Sequence, residues 1–210
     1  MNTEELIKNL TDDLPASTKV ISIGKFATIW SSITLVFLGI ALYWFGVGSN
    51  LETILSSPPM MLEAALSLVL GVLAAAGAFI LSVPSKHVGK DLKYMAIFPI
   101  VLWFSVLAFR WSMFETSAPN LLGPMHCFWT VIGLAIIPGL TIFYFIRKAS
   151  PLKPGVTGFL ALTASFGLSA FVMRLACPIQ DPFHQSVMHF LPVLLIGGIG
   201  VLLGKKLLKW

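Results

Sequence analysis

The chain has 210 residues, of which 57% are hydrophobic and only 11% are charged. An ordinary soluble domain carries roughly 25% charged residues, so this composition predicts a membrane protein. The net charge of +5 is compatible with a nucleic-acid partner. The positions of the basic residues, described below, argue against direct nucleic-acid binding.

The first predicted element is a short amphipathic helix within residues 1–25. Its apolar face consists of Leu6, Ile7, Leu10 and Leu14, and Pro15 marks its end. The opposite face carries four acids and one lysine, which disfavours an anionic membrane surface. We therefore favour docking in a groove of a soluble protein over a helix that lies on the membrane. The segment also lacks the pattern of a cleavable signal peptide.

Six apolar stretches follow, and each is close to the roughly 20 residues that a membrane-spanning helix needs. They cover residues 26–47, 61–82, 95–112, 125–146, 156–176 and 187–204. The predicted fold class is therefore all-α, an integral membrane bundle of six transmembrane helices preceded by a cytoplasmic amphipathic helix. Residues 26–204 would form the membrane domain and 205–210 a basic cytoplasmic tail, which leaves no room for a soluble enzyme domain.

The basic residues predict the orientation of the chain. Twelve of the fourteen Lys and Arg residues fall before span 1, between spans 2 and 3, between spans 4 and 5, or after span 6, and all these segments lie on one side of the membrane. Only Arg110 and Arg174 fall at the other side. The positive-inside rule then places both termini in the cytoplasm. The excess charge is a topology signal, and it also suits contact with anionic lipid headgroups.

The span interiors contain few groups that could carry chemistry. Glu63 is placed at the outer edge of span 2, whereas a proton-coupled transporter needs carboxylates deep in its spans. The two cysteines do not form the CxxC pair of a thiol oxidoreductase, and no enzymatic activity is expected. Gly200 and Gly204 in span 6 form a small-xxx-small pattern, for which packing within the chain is favoured over a dimer interface.

The reactive side chains gather at one predicted membrane face. Cys127 lies at the outer start of span 4 and Cys177 at the outer end of span 5, with His126, His184 and His189 at the same depth. Three interpretations remain open. These side chains only fill space at helix ends near the membrane interface, or the cysteines form a disulfide, or the thiols and imidazoles bind a soft metal. The ligand count is adequate for a metal, but the spacing matches no tight metal-binding signature.

Several short segments resemble one known family in their order and spacing. They are "TEELIKNL", "LSVPSK", "GPMHCF", "SPLKP", "LACP", "MHFLPVLL" and "LGKKLLKW". Together they resemble the NrsF (negative regulator of sigma F) family of six-span membrane anti-sigma factors. The resemblance implies a bacterial inner-membrane protein whose cytoplasmic N-terminus binds an extracytoplasmic-function sigma factor. The sigma-binding residues would be Glu5, Leu6, Ile7, Leu10 and Leu14.

The resemblance also implies a periplasmic sensor of oxidant or thiol-reactive metal, which by position consists of Cys127 and Cys177. The hypothesis is therefore an anti-sigma factor that releases its partner under such stress. The alternative is a small metal-handling membrane protein or transporter. Candidate metal ligands in either case are Cys127, Cys177, His126, His184 and His189. No cofactor is expected, apart from a transient soft metal ion.

Overall fold

The structure, a computed structural model, describes residues 2–12, 22–83, 94–113 and 125–209. Every regular element in these ranges is helical. The elements are α1 (Thr3–Asp12), α2 (Ile23–Phe45), α3 (Gly48–Ser56), α4 (Pro58–Leu81), α5 (Tyr94–Met113), α6 (His126–Arg147), α7 (Pro154–Ala176), α8 (Pro182–His184), a π-helical turn (Gln185–Phe190) and α9 (Leu191–Leu207).

The all-α prediction is confirmed for the described residues, and most of the predicted spans correspond to long apolar helices. Within those residues, five helices are long and apolar enough to cross a membrane: α2, α4, α6, α7 and the continuous helix Pro182–Leu207. The predicted third span falls on α5, whose apolar part, Ile97–Ser112, is shorter. The chain is thus a membrane protein by helix length and composition, and the count of six spans stays a prediction.

Helix α7 is the centre of the bundle and is buried along most of its length. It packs against α4, α6 and α9. Small residues such as Gly158, Ala161 and Ala164 let neighbouring backbones approach closely, which is how apolar helices gain contact energy in lipid. Because α7 ends at Ala176, this central helix places Cys177 at one end of the bundle.

The tightest of these contacts joins α7 to α9 through glycines. A Cβ atom added to Gly158 would lie 2.6 Å from the Cα of Gly204, and one added to Gly200 would lie 2.5 Å from the carbonyl oxygen of Gly158. Both distances are shorter than any real Cβ contact. Gly200 and Gly204 therefore face a helix of the same chain, as the sequence pattern favoured.

One predicted connection is helical in the structure. The stretch between the first two predicted spans forms α3, and only Ser57 separates it from α4. Ser57 has an extended backbone, and prolines occupy the first positions of α4, where their missing N–H groups have no helical partner in any case.

The glycine contact gives a first prediction. The Gly200→Ala substitution should lower the thermal midpoint of the detergent-solubilised protein, because overpacking of a tight contact costs about 1–3 kcal/mol. The matched control is Gly198→Ala on the same helix, where a Cβ meets no described atom within 4 Å. That control should unfold at the wild-type temperature or above it. Equal midpoints for the two variants, measured by tryptophan fluorescence, would contradict the packing.

Candidate functional site

Two thiols meet where the first turn of α6 lies beside the end of α7. The Sγ atoms of Cys127 and Cys177 are 3.7 Å apart, although 50 residues separate them in sequence. Both side chains are only 1% exposed, and both are free thiols. A disulfide bond is about 2.05 Å long, so the two sulfur atoms are in contact without being bonded.

Two histidines complete a buried cluster around these sulfurs. His184, the last residue of α8, places Nε2 3.4 Å from the Sγ of Cys177. The ring of His189 lies with its centroid 5.5 Å from that of His184. One ligand atom from each of Cys127, Cys177, His184 and His189 lies within 4.8 Å of the others. These four residues are called the thiol–imidazole cluster below.

The π-helical turn explains how two histidines five residues apart reach one cluster. In an α-helix of 3.6 residues per turn, residues five apart point about 140° away from each other. A π-helical turn joins residue i to residue i+5 and brings such residues onto nearly the same face. Here the N–H of Leu191 donates to the carbonyl of Ser186, five residues back. Pro192, which has no N–H, follows directly.

The segment between Cys177 and α8 is held by its own hydrogen bonds. Both carboxylate oxygens of Asp181 cap α8, because they accept from the backbone N–H groups of Phe183 (3.1 Å) and His184 (3.3 Å). The side-chain amide of Gln185 donates to the carbonyl of Ile179 at 2.7 Å. These bonds fix the backbone that carries His184 relative to Cys177.

The hydrogen bonds of Cys177 also affect its acidity. The hydrogen bond with the Cys127 thiol, and more weakly the one with His184, lowers the pKa of Cys177 below its ordinary value, although burial acts in the opposite direction. A sulfur atom with increased thiolate character is the more reactive nucleophile and the better metal ligand.

A buried ionic network lies at the same end of the bundle. Arg110 of α5 donates from Nη1 to both carboxylate oxygens of Glu63 of α4, each at 2.7 Å. Arg174 of α7 donates from Nε to Glu63 Oε2 at 3.2 Å. Glu63 is only 1% exposed. The network therefore joins three helices through one carboxylate.

The same two arginines hold the segment that follows Cys177. Arg110 Nη2 donates to the carbonyl of Gln180 at 2.6 Å, and Arg174 Nη1 donates to its side-chain oxygen at 2.7 Å. Within the described residues, Arg174 Nη2 has no hydrogen-bond partner. One carboxylate thus faces two guanidinium groups, and the network carries a net positive charge close to the cysteines.

Sequence reasoning placed these three charged residues separately and missed their association. Glu63 was assigned to the edge of a span, while Arg110 and Arg174 were exceptions to the charge pattern. A signal was available, because charges inside apolar spans usually pair with one another. The two arginines and the acid all fall near span ends on the same predicted side.

The structure leaves one predicted ligand out of the cluster. His126 is exposed and is not part of the thiol–imidazole cluster. The reason is that it precedes Cys127 on α6, and adjacent residues of a helix point about 100° apart. Cys127 faces the bundle interior, so His126 faces outward.

The predicted partner-binding residues lie in α1 or just after it, near the N-terminus. Glu5, Leu6 and Ile7 are exposed, with Leu6 and Ile7 41% and 56% accessible. Leu10 belongs to α1, but its side chain lies outside the described part of the chain, as does the whole of Leu14. The helix itself was expected from the spacing of these residues, and their role in binding stays a prediction.

The fold and the site together define a class of protein: a helical membrane protein with a buried thiol–imidazole cluster at one end of its bundle. The family model for NrsF, described as negative regulator of sigma F, matches residues 10–210. The chain therefore belongs to the NrsF family, as the sequence segments indicated. No curated protein and no solved structure matches it.

The ionic network gives a second prediction. The Glu63→Gln substitution should destabilise the protein by about 3–5 kcal/mol, because it leaves two buried guanidinium groups without a countercharge. Glu52→Gln is the matched control, because Glu52 is exposed on α3. Thermal unfolding in detergent measures both variants. A Glu63 variant as stable as the Glu52 variant would show that the network contributes little.

Proposed function

We propose that this protein is a membrane-bound anti-sigma factor that sequesters an extracytoplasmic-function sigma factor. Release would follow a chemical change at Cys127 and Cys177, caused by an oxidant or by a thiol-reactive heavy metal. The observation that carries the sigma-factor part is the family match over residues 10–210. The buried contact between the two sulfur atoms supports the switch.

Helix α1 is the proposed sigma-binding segment. It precedes the first apolar helix, and it exposes Leu6 and Ile7, two large apolar side chains that a groove on a soluble partner would cover. The first turn is acidic through Glu4 and Glu5, which favours a basic rim around such a groove. The family match begins at residue 10, so the proposed contacts of residues 5–7 rest on the exposed apolar pair alone.

The distribution of charge supports the proposed orientation. Helix α6 carries Cys127 in its first turn and Arg147 in its last turn, and α9 ends with Lys205 and Lys206. The cysteines and these basic groups therefore lie at opposite ends of the helices. With basic ends in the cytoplasm, the thiol–imidazole cluster faces the periplasm across an inner membrane.

Oxidation would convert the sulfur contact into a covalent link. The two thiols lose two protons and two electrons to an oxidant such as hydrogen peroxide, which is reduced to water, and the sulfurs must approach from 3.7 Å to about 2.05 Å. This movement pulls the start of α6 towards the end of α7. A disulfide contributes about 2–4 kcal/mol, whereas couplings between distant sites need about 1–3 kcal/mol.

Helix α7 is the proposed route of the signal. It packs against α4, α6 and α9, with small residues in several of these contacts. Closely packed helices shift as rigid bodies because their contacts leave no free space to absorb a movement. A displacement at Cys177 would therefore reach the opposite end of the bundle, close to the membrane entry of the N-terminal segment.

A third prediction concerns the partner. Full-length protein in detergent, incubated with cytosol of its source bacterium, should capture a sigma factor. Leu6→Ala combined with Ile7→Ala should weaken capture at least about tenfold, because each truncation removes an apolar contact worth more than 1 kcal/mol at an interface. Lys8→Ala, at an exposed position on the polar face of α1, is the control and should capture the factor like the wild type. Mass spectrometry identifies the bound protein, and equal capture by all three proteins would contradict the role of α1.

A fourth prediction concerns the switch. Treatment of the wild-type complex with peroxide should protect both cysteines from maleimide after denaturation and should release the sigma factor. The double variant Cys127→Ser and Cys177→Ser should retain the sigma factor at the same dose, because no disulfide can form. Release from the double variant at the wild-type dose would refute sensing by these cysteines.

The alternative function, a small metal-handling membrane protein or transporter, is favoured by one observation, the four clustered ligand atoms. Its distinguishing measurement is the uptake of zinc or cadmium into vesicles that contain the purified protein. Uptake that depends on Cys127 and Cys177, without sigma-factor capture, would favour this alternative over the anti-sigma function.

A further inference from the structure

We propose that Cys127, Cys177, His184 and His189 form a four-ligand binding site for a zinc-class divalent ion, Zn²⁺ or the softer Cd²⁺. This site adds two histidines to the proposed sensing residues. Its regulatory role rests on the proposed function. Metal binding itself requires no sigma factor. The two proposals can therefore fail separately.

The separations of the donor atoms match a tetrahedral metal site. A zinc ion lies about 2.3 Å from each thiolate sulfur, so two sulfur ligands of a tetrahedron are about 3.8 Å apart. The sulfurs of Cys127 and Cys177 are 3.7 Å apart. A sulfur and a nitrogen ligand would be about 3.6 Å apart, and the Sγ of Cys177 lies 3.4 Å from Nε2 of His184.

His189 supplies an independent indication of a ligand-binding site. Its side chain is 1% exposed, and within the described residues neither of its ring nitrogens makes a hydrogen bond. Burial of a polar group without a partner is unfavourable, because the group loses its hydrogen bonds to water and gains none in the protein. A metal ion among the four donor atoms, which already lie within 4.8 Å of one another, would give one nitrogen a partner.

The donor set selects the class of metal. Two sulfurs and two imidazoles in a tetrahedral arrangement favour zinc, and thiolates also favour soft ions such as cadmium. On binding, the ion replaces the two thiol protons, which pass to solvent, and both imidazoles bind in their neutral form. Two negative thiolates then balance the double positive charge, so the site is neutral. Neutrality reduces the cost of placing an ion in a buried position.

A bound ion and a disulfide would be alternative states of the same sulfurs. The ion would link the start of α6, the end of α7 and the turn before α9 while keeping the sulfurs at nearly their present separation. A disulfide would link only the two cysteines and shorten that separation. Each state would therefore replace the free contact between the thiols with a fixed link, which is the change that the proposed release requires, and a bound zinc would also protect both thiols from oxidants.

The test is zinc binding by the full-length reduced protein, purified in detergent and freed of metal with a chelator. Zinc is titrated against a chromophoric competitor, and bound metal is counted by mass spectrometry. One zinc per chain is expected for the wild type. The variants His184→Ala, His189→Ala and Cys177→Ser should each bind at least about 100-fold more weakly, since even loss of an outer partner costs 10–100-fold. His126→Ala, one position from Cys127 and exposed, should bind like the wild type.

Two results would overturn the site: no stoichiometric zinc on the wild type, or histidine variants that bind as tightly as His126→Ala. If the alanine variants do not fold, His189→Gln keeps a polar side chain of similar size, and cobalt spectra of the wild type provide a second readout. Cobalt bound to two thiolates in a tetrahedral site gives strong visible absorption, and a weak octahedral spectrum would count against the proposal. Zinc binding without sigma-factor capture would refute only the proposed function.

Discussion

The carboxylate of Glu63 is buried at the end of the bundle where the cysteines lie, and two arginines from different helices converge on it. Removing three charges from solvent is costly unless each one finds opposite charge and hydrogen bonds. The arginines also bind Gln180, so this requirement fixes α4, α5, α7 and the segment after Cys177 in one arrangement. The geometry of the thiol–imidazole cluster depends on that arrangement.

The central helix connects this polar end to the rest of the molecule. Most of the buried residues of α7 are glycines, alanines and small hydroxyl residues, and the hydroxyls of Ser165 and Ser169 donate to carbonyls of the same helix. These two hydroxyl groups are therefore satisfied within the helix, and the small side chains let neighbouring helices approach closely. Within the described residues, the bundle therefore has a closely packed core and one buried charged network at one end, which suits the proposed sensor.

The thiol–imidazole cluster has features that suit both chemical states proposed for it, a disulfide and a bound metal ion. Its sulfurs are close enough to bond after a small movement, and its histidines are positioned by a π-helical turn, a local irregularity that often occurs at functional sites. An α-helical continuation would have directed the two imidazoles to different faces. The irregular turn thus has a specific consequence, the convergence of four donor atoms in a buried volume.

The sequence alone determined the helical class, the membrane character and the family, because these depend on composition, on the length of apolar runs and on the order of short motifs. It also indicated that Cys127 and Cys177 lie at one face, since each adjoins the end of an apolar stretch. The orientation of the chain and the count of six spans are still predictions from charge and length.

Only the tertiary structure decided which side chains meet. The pairing of Glu63 with Arg110 and Arg174 joins residues up to 111 positions apart, and it depends on the packing of three helices. The exclusion of His126 and the inclusion of His189 depend on the direction in which each side chain leaves its helix. Sequence periodicity assumes regular α-helices, so it does not describe a π-helical turn, and it contains no information on the rotation of one helix against another.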